Sequence, residues 1–413
     1  MRCGLLGQTL GHSYSPQIHA ALSQGSYDYQ LFEVQPENLA AFMTGSDFDG
    51  LNVTIPYKQQ VVQFCAQLTP VAQKIGSVNT IARLPDGSLI GHNTDALGFD
   101  AMLGEGDVRV EGKKVLVLGS GGASLCVRYI LELLGAGQVI TISRQGQDNY
   151  RNIERHSDAQ IIVNTTPVGM YPDTSSAPID LAGFSALECV LDLIYNPART
   201  RLMLQAQQLG IPSVGGLAML VGQARGACEL FLGGKPVPAE KEQAVLARMR
   251  RRMENIVLVG MPGCGKSTVG KAVAHRLGRE FVDSDDVIEQ QAGMPIPEIF
   301  EREGQEGFRA RESAVLAQLG GQSGLVIATG GGCVTRWENY YHLRQNGCIV
   351  FLERELDELE RQGRPLSLGA NLGELYQRRG PLYRKFAGAC AQNNAPVQDV
   401  VERILHILGG DGR

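Results

Sequence analysis

The 413-residue sequence lacks long apolar runs, clustered cysteines and a large excess of either charge. Its apolar runs are far shorter than the roughly 20 residues that cross a bilayer, and its amino terminus lacks the apolar core of a secretory signal, so we expect no membrane partner and a cytoplasmic location. The nine cysteines form no CxxC pair, which argues against a disulfide framework or a structural zinc site. A net charge of −5 gives no electrostatic reason to expect a nucleic acid partner. We therefore expect small-molecule substrates and a monomer or homodimer.

The length predicts two to three domains, and changes in composition indicate where they divide. Residues 234–254 begin with Gly and Pro and continue with Ala, Glu, Lys and Arg, which predicts a linker that is helical from about residue 240 to 253. Strand-like apolar runs followed by glycine-rich turns indicate an α/β fold on both sides of this linker. The predicted domains are residues 1–100, 101–233 and 255–413.

The segment GMPGCGKST at residues 260–268 follows an apolar strand-like run and precedes a helix-like sequence. This arrangement predicts a loop whose backbone N–H groups bind phosphate, with Lys266 adding charge and Ser267 placed to bind magnesium. The predicted reaction is phosphoryl transfer. The predicted ATP-binding residues of the loop are Gly263, Cys264, Gly265, Lys266, Ser267 and Thr268.

A second glycine-rich turn, GSGGAS, follows the strand-like residues 115–118. It departs from the full GxGxxG pattern because Ser124 replaces the third glycine, and a glycine turn that serves packing alone is the alternative. No acidic residue ends the next strand, where Ser143 and Arg144 stand, and an arginine suits the 2′-phosphate of NADP. The predicted NADP-binding residues are Gly119, Gly121, Gly122, Ala123, Ser143 and Arg144.

Six motifs in the first part of the chain occur in a specific order. They are GHSYSP at 11–16, GLNVTIPYK at 50–58, GSVNT at 76–80, GHNTDALG at 91–98, NTTPVGM at 164–170 and GGLAMLVGQ at 215–223. This series resembles shikimate dehydrogenase over residues 1–233. The resemblance implies an α/β substrate domain, a Rossmann NADP domain and NADPH-dependent reduction of 3-dehydroshikimate.

The chemistry of a ketone reduction suits two residues of these motifs. Hydride addition leaves an alkoxide that needs a proton, which an ammonium beside a carboxylate can deliver. The resemblance implies that Lys58 is the proton donor and that Asp95 orients it. It also places Leu193 and Gly216 near the nicotinamide. The predicted substrate contacts, each of which could instead be a turn residue, are Ser13, Ser15, Thr54, Lys58, Asn79, Asp95, Tyr195 and Gln223.

The cofactor region departs from the family pattern. Ser143, Arg144 and Gln145 stand where the family usually carries Asn-Arg-Thr, and the following stretch, which usually has its own helix, is abbreviated. The sequence therefore departs most from the family pattern in the segment that would bind the adenosine phosphate of NADP.

A second motif series lies after the linker. It comprises VDSDD at 282–286, EGFRARE at 306–312, ATGGGCV at 328–334, GRPLS at 363–367 and RRGPLYR at 378–384. The series resembles shikimate kinase from residue 256 to about 410, which implies an α/β/α P-loop kinase fold. The two resemblances fall on consecutive reactions, because the first would produce the shikimate that the second consumes.

The acidic and basic residues of these motifs suit phosphoryl transfer to a hydroxylated acid. Asp283 is predicted to hold magnesium with Ser267, and Asp285 to accept a hydrogen bond from the attacking hydroxyl. Arg309, which Glu312 would position, is predicted to bind the substrate carboxylate, although a surface salt bridge is the alternative. Further predicted contacts are Gly331 and Arg379 for substrate, and Arg364, in a lid, for ATP.

Two features near the predicted ATP site are unusual. The stretch GACAQNNAPV offers amides and small side chains where some family members place an arginine near the adenine. Cys264 inside the phosphate loop raises the hypothesis that alkylation inactivates the kinase, whereas the simpler interpretation is a small filler residue.

Together, these patterns predict a bifunctional enzyme that uses NADP(H), ATP and Mg²⁺. One alternative is a quinate dehydrogenase fused to a kinase, against which Ser15 and Arg144 argue. Another is a non-catalytic regulator that senses shikimate and nucleotide, against which the intact set of predicted catalytic residues argues.

Overall fold

A computed structural model describes residues 1–11, 13–45, 47–359 and 372–409. The chain divides into two compact units. The first comprises Met1–Tyr195 and Leu202–Arg250, and the second comprises Asn196–Arg201 and Arg251–Arg413. No helix within these described ranges is long and apolar enough to cross a membrane.

The first unit begins with a mixed six-stranded sheet. Its strands are β1 (Arg2–Gly7), β2 (Asp28–Glu33), β3 (Gly50–Val53), β4 (Gln67–Leu68), β5 (Thr80–Arg83) and β6 (Leu89–His92). They lie in the order β2-β1-β3-β5-β6-β4, and β5 runs antiparallel to both of its neighbours. The accompanying helices are α1 (Ser15–Ser23), α2 (Leu39–Gly45), α3 (Pro70–Ile75) and α4 (Asp95–Glu105).

A second sheet of the same unit is entirely parallel. Its strands are β7 (Lys114–Leu118), β8 (Gln138–Ile142), β9 (Ile161–Asn164), β10 (Cys189–Asp192) and β11 (Ser213–Gly215), in the order β11-β10-β9-β7-β8. The inner strands β9 and β10 are buried at every position, because helices and loops cover both faces of such a sheet. The helices that follow β7 and β10 are α5 (Gly122–Leu133) and α6 (Arg201–Gln208).

The helix α7 (Leu217–Phe231) follows the second sheet but packs against α4 and α1 of the substrate part. Glycines permit the close approach of α4 and α7. A Cβ at Gly98 would lie 2.4 Å from the Met219 carbonyl oxygen, and one at Gly222 would lie 2.6 Å from the Ala101 Cβ. The predicted range 101–233 therefore ends with a helix that returns to the substrate part.

The predicted linker 234–254 contains α8 (Ala239–Met253), close to the helix expected at 240–253. This helix is amphipathic, and its side chains Val245, Leu246 and Met249 are buried. An ion pair of 2.9 Å joins Glu242 to Arg225 of α7. The first unit extends to Arg250, so most of α8 packs against the first unit and is not a free linker.

The second unit is built on another parallel sheet. Its strands are β12 (Asn255–Val259), β13 (Phe281–Asp283), β14 (Val326–Ala328), β15 (Gly347–Glu353) and β16 (Ala389–Gln392), in the order β13-β14-β12-β15-β16. The strand β12 is buried throughout, and the chain order reverses beside it. Ligands of open parallel sheets bind at the carboxyl ends of strands at such a point. The helices are α9 (Lys266–Leu277), α10 (Ser284–Ala292), α11 (Ile296–Gly321), α12 (Glu338–Arg344), α13 (Leu372–Phe386) and α14 (Val397–Ile407).

Candidate active sites

A cavity of about 170 Å³ lies in the first unit among α1, β3, α7 and the loops around them. Hydroxyl, amide and amine groups dominate its lining, which suits a small polyhydroxylated acid. Asp95 is the one predicted substrate contact outside the lining, and it lies directly behind Lys58. The predicted residues that line the cavity are Ser13, Ser15, Thr54, Lys58, Asn79, Tyr195 and Gln223.

The predicted catalytic pair is formed. Lys58 Nζ lies 2.6 Å from Asp95 Oδ2, and the other carboxylate oxygen accepts a hydrogen bond of 2.9 Å from Asn79 Nδ2. The same Asn79 amide donates to Gln223 Oε1 at 3.1 Å. The lysine side chain is 27% exposed and the aspartate 9%, so the ammonium faces the cavity while the carboxylate is held behind it.

The backbone fixes the direction of the Asn79 amide. Its oxygen accepts a hydrogen bond of 2.6 Å from the Thr94 N–H, and a second, of 3.1 Å, comes from the Thr80 hydroxyl. A backbone N–H can only donate, so the amide nitrogen must face Asp95 and Gln223. The start of α4 therefore both carries Asp95 and orients its partner.

Sequence reasoning missed two polar residues of the cavity, His19 and Asn52. Tyr29 donates to Asn52 Oδ1 at 2.8 Å, and its ring stacks on His19 with a centroid distance of 4.0 Å. Complete burial lowers the pKa of His19 to about 3, so the imidazole is neutral. A usable signal was the helical spacing, since His19 lies four residues after Ser15 on α1.

The predicted cofactor turn lies at the carboxyl end of β7, between β8 and β9, where the strand order reverses. Gly119 has a φ of 107°, and a Cβ there would lie 2.8 Å from the Thr165 hydroxyl. A Cβ on Gly121 or Gly122 would meet no other atom within 4 Å, so the turn is open to a ligand. Ala123 lies in the first turn of α5, whose amino-terminal N–H groups suit a pyrophosphate.

The predicted nicotinamide residues Leu193 and Gly216 touch each other. A Cβ on Gly216 would lie 1.9 Å from the Leu193 carbonyl oxygen, so only glycine can stand there. Gly216 is also the residue from which α7 starts, and α7 carries Gln223 into the substrate cavity. One helix thus connects the predicted cofactor and substrate contacts.

The region after β8 is short, as its sequence indicates. Residues 143–160 contain only the 3-10 turn Ile153–His156 and no α-helix. Ser143 N–H donates to the Asp148 carbonyl at 3.2 Å, and the Asp148 carboxylate lies 2.9 Å from His156 Nε2. The Arg144 side chain is exposed, which leaves it accessible to a phosphate.

In the second unit, the predicted phosphate loop joins β12 to α9. Gly263 and Gly265 have φ values of 85° and 92°, which favour glycine. Lys266 Nζ donates to the carbonyl oxygens of Gly260 and Met261, both at 2.9 Å. Thr268 lies in the first turn of α9. Cys264 has no exposed surface and belongs to the hydrophobic core, which favours the filler interpretation over the alkylation hypothesis.

Two oxygen-bearing side chains meet beside this loop. Ser267 Oγ donates to Asp283 Oδ2 at 2.6 Å, and Asp283 also begins α10, where its Oδ1 accepts from the Asp285 N–H at 3.1 Å. Mg²⁺ prefers one or two protein oxygens together with water and phosphate ligands. The pair Ser267 and Asp283 has the chemistry required to hold this ion.

Asp285 lies in a crowded acidic environment. Burial, followed by the charges of Asp283 and Glu312, raises the pKa of Asp285 to about 7. A Cβ on Gly330 would lie 2.8 Å from Asp285 Oδ1 and 2.7 Å from Glu312 Oε1. Neither of these two buried carboxylate oxygens has a hydrogen-bond partner among the described residues. A carboxyl with a pKa near 7 is suited to accept a proton at neutral pH.

The predicted carboxylate-binding arginines approach the same glycine-rich turn. Arg309 Nη1 lies 2.5 Å from Glu312 Oε2, and the pair is almost completely buried. A Cβ on Gly332 would lie 2.0 Å from Arg309 Nη2, so that glycine makes room for the guanidinium. Arg379 Nη1 donates to the Gly331 carbonyl at 3.1 Å, as does the hydroxyl of Tyr383, which sequence reasoning missed, at 2.5 Å.

The predicted lid residue Arg364 lies outside the described residues. The helix α13 follows at residue 372 and carries Arg379 and Tyr383. The predicted substrate contacts of the second unit thus come from α10, α11, α13 and the glycine-rich turn.

Comparison with known proteins identifies the first unit. Shikimate dehydrogenase (NADP+) of Symbiobacterium thermophilum is 37% identical over 275 residues, covering 59% of this chain and 93% of that protein. The Clostridium perfringens enzyme of the same name is 34% identical over 259 residues, covering 58% and 95%. The chain belongs to the shikimate dehydrogenase family.

Family models agree with this membership and extend it. The shikimate dehydrogenase substrate binding domain matches residues 5–81, and shikimate kinase matches residues 262–409. The shikimate dehydrogenase of this chain is therefore fused to a shikimate kinase domain.

Solved structures resemble the shikimate dehydrogenase part. A chorismate mutase/shikimate 5-dehydrogenase fusion protein from Clostridium acetobutylicum has a TM-score of 0.57 and 32% identity, covering 60% of this chain and 96% of that one. The Thermus thermophilus shikimate 5-dehydrogenase in complex with NADP(H) and shikimate has a TM-score of 0.54 and 31% identity, covering 59% and 98%. A quinate dehydrogenase from Corynebacterium glutamicum has a TM-score of 0.54 and 28% identity, covering 60% and 99%.

Proposed function

We propose that this chain reduces 3-dehydroshikimate to shikimate with NADPH and then phosphorylates shikimate at its 3-hydroxyl with MgATP. The observation that carries the proposal is that each unit contains a complete set of reacting groups. The first has the Lys58–Asp95 pair on a polar cavity. The second has a phosphate loop beside Asp283, Asp285 and a buried arginine.

In the dehydrogenase reaction, NADPH would supply a hydride to the substrate ketone. Lys58 Nζ would donate the proton that the resulting alkoxide needs, and the neutral amine would regain a proton from solvent. Asp95 would hold the ammonium toward the cavity. Asn79 and Gln223 would hold substrate hydroxyls through the amide network described above.

The NADPH would lie along the carboxyl edge of the second sheet. The open turn at Gly121 and Gly122 would hold the pyrophosphate, and the Leu193–Gly216 contact would bound the nicotinamide. Ser143 and Arg144 would bind the 2′-phosphate, for which a guanidinium is well shaped.

In the kinase reaction, Asp285 would accept the proton of the attacking hydroxyl. Arg309 and Arg379 would bind the substrate carboxylate, and the backbone at Gly331 would lie against the ring. Lys266 would exchange its loop carbonyl contacts for phosphate oxygens, and Ser267 with Asp283 would hold magnesium. With these roles, shikimate as the phosphate acceptor and ATP as the phosphate donor would both lie at the carboxyl end of β12.

The decisive experiment follows both products in one mixture. The full chain is incubated with 3-dehydroshikimate, NADPH, ATP and Mg²⁺, and shikimate and shikimate 3-phosphate are quantified by mass spectrometry. We expect the unaltered chain to form both products and the Asp285→Asn variant to form only shikimate. The Lys58→Met variant should form neither product from 3-dehydroshikimate, but should form shikimate 3-phosphate when shikimate is added. Absence of both products from the unaltered chain would favour the regulatory alternative. In a parallel mixture that contains 3-dehydroquinate in place of 3-dehydroshikimate, a faster reduction would favour the quinate alternative.

We further propose that the enzyme acts in the cytoplasm, where its nine free cysteines stay reduced. A monomer or homodimer remains the predicted state, and light scattering at several concentrations distinguishes the two.

A further inference from the structure

Three consecutive residues with amide side chains lie at the carboxyl end of β16, and each side chain has a different hydrogen-bond partner. Gln392 Nε2 donates to Glu353 Oε2 at 2.7 Å, and Asn394 Nδ2 donates to Glu355 Oε1 at 3.2 Å. Asn393 Nδ2 instead donates to the carbonyl oxygen of Cys264, inside the phosphate loop, at 2.6 Å. Asn393 is therefore the member of this trio that reaches the nucleotide-binding backbone.

The position of Asn393 is strongly constrained. The residue is 7% exposed, and its own N–H donates to the Glu353 carbonyl at 2.7 Å, which fixes its main chain to the end of β15. The side-chain amide of Asn393 also packs against Gly265, where a Cβ would lie 2.6 Å from Asn393 Nδ2. The contact thus spans 129 residues of sequence and joins two fixed segments.

The planarity of the peptide bond gives this contact a consequence for phosphate binding. In a trans peptide the carbonyl oxygen of Cys264 and the N–H of Gly265 point in opposite directions. A donor that holds the carbonyl oxygen on one side of the loop holds the next N–H on the other side. A phosphate-binding loop requires such N–H groups to converge on the phosphate oxygens before the ligand arrives.

We propose that Asn393 is a positioning residue that orients the Cys264–Gly265 peptide for the phosphates of ATP. This inference rests on the proposed kinase activity. It concerns nucleotide affinity and not shikimate affinity, because Asn393 contacts the phosphate loop, whereas the shikimate-binding groups lie on α10, α11, α13 and the glycine-rich turn.

The test compares Asn393→Asp, Asn393→Ala and the control Gln318→Ala in the full chain. Gln318 is an exposed amide residue of α11 that accepts a hydrogen bond from Gln291. Aspartate has the same shape but its ionised carboxylate cannot donate to a carbonyl. We expect both Asn393 variants to raise the KM for MgATP at least tenfold and leave the KM for shikimate within twofold. Gln318→Ala should change neither constant by more than twofold, and dehydrogenase activity should be unchanged in all three.

Calorimetric titration with MgADP provides a readout independent of turnover. An at least tenfold weaker affinity in both Asn393 variants, with unchanged thermal unfolding, would support the proposal. Equal MgADP affinities, or parallel rises in both KM values, would overturn it. If the unaltered chain binds MgADP but does not phosphorylate shikimate, the proposed kinase function fails while the titration still decides the role of Asn393. If Asn393→Asp does not fold, the alanine variant decides by the same criteria.

Discussion

The two proposed active sites each contain a cation and a carboxylate at nearly the same distance, yet the first pair is partly exposed and the second is buried. Lys58 lies 2.6 Å from Asp95 with the lysine 27% exposed, and Arg309 lies 2.5 Å from Glu312 with both groups at most 5% exposed. The dehydrogenase pair continues into amides that have partners, whereas Arg309 Nε and Glu312 Oε1 are buried without one among the described residues.

This difference indicates two ways in which a site can be preorganised for its ligand. Around Lys58, hydrogen bonds fix each group in the direction that the proposed reaction requires, and such fixed groups lower the cost of ordering a transition state. Around Arg309, buried polar groups keep unused hydrogen-bonding capacity, which is costly unless a ligand supplies the missing partners. A substrate carboxylate and hydroxyl have the complementary chemistry for such groups.

The substitution with the largest expected effect inactivates the dehydrogenase site alone. Lys58→Met should lower the rate of NADPH oxidation by about 10³-fold, because general acid catalysis contributes roughly 10² to 10⁴. Phosphorylation of added shikimate by the same protein should change less than twofold. Lys74→Met, at an exposed lysine of α3, is the control. A Lys58→Met rate within tenfold of the unaltered rate would exclude this lysine as the proton donor.

The substitution with the next largest expected effect inactivates the kinase site alone. Asp285→Asn should lower the rate of phosphorylation by about 10²-fold or more, since asparagine cannot accept the hydroxyl proton. A coupled ADP assay measures this rate, and Asp286→Asn, at an exposed neighbour on α10, is the control. Equal losses in the two variants would indicate a general disturbance of α10.

The pH dependence of the kinase reaction tests the role of Asp285. Because burial raises the pKa of Asp285 to about 7, and because the base acts in its ionised form, kinase kcat/KM should fall about tenfold per pH unit below 7 and level off above it. The measurement uses both kinase substrates well below saturation. A kinase profile that is flat between about pH 5.5 and 8 would contradict a base with this pKa.

A smaller effect tests the packing that brings Asn79 and Gln223 together. Gly98→Ala inserts a Cβ 2.4 Å from the Met219 carbonyl and should lower the free energy of unfolding by about 1–3 kcal/mol and raise the dehydrogenase KM for 3-dehydroshikimate. Gly104→Ala, on the same helix, meets no other atom within 4 Å and should leave stability unchanged or raise it by up to about 1 kcal/mol. Denaturant unfolding of both variants measures the difference, and equal destabilisation would contradict the packing role.

The smallest expected effect concerns cofactor choice. Arg144→Ala should raise the KM for NADPH about tenfold and leave that for NADH unchanged, because charge-assisted hydrogen bonds contribute about 1.5–3 kcal/mol. Arg155→Ala, at another exposed arginine of the same loop region, is the control. A similar rise for NADH would indicate loss of loop structure and not of 2′-phosphate binding.

Much of the fold class and the local chemistry could be predicted from the sequence. The phosphate loop and the cofactor turn have local signatures, since glycines, a strand before them and a helix after them lie within about ten residues. The shortness of the region after Ser143 could also be predicted, because the number of residues between two strands is a property of the sequence alone. Asn52 was missed because a strand asparagine has no spacing that distinguishes a ligand from a packed side chain. For His19 the signal is its position four residues after Ser15 on α1, a helical spacing that a packed histidine shares.

The sequence by itself determined the residue types, the two nucleotide-binding turns and the order of the strands along the chain. Only the tertiary structure decided which of these residues meet. Asn79 reaches Gln223 across 144 residues because Gly98 and Gly222 let α4 and α7 approach closely, and Asn393 reaches Cys264 because β15 and β16 end beside the phosphate loop. It also decided that Glu312 of α11 joins the neighbouring Asp283 beside Asp285, since charge and burial at one position depend on elements distant in sequence.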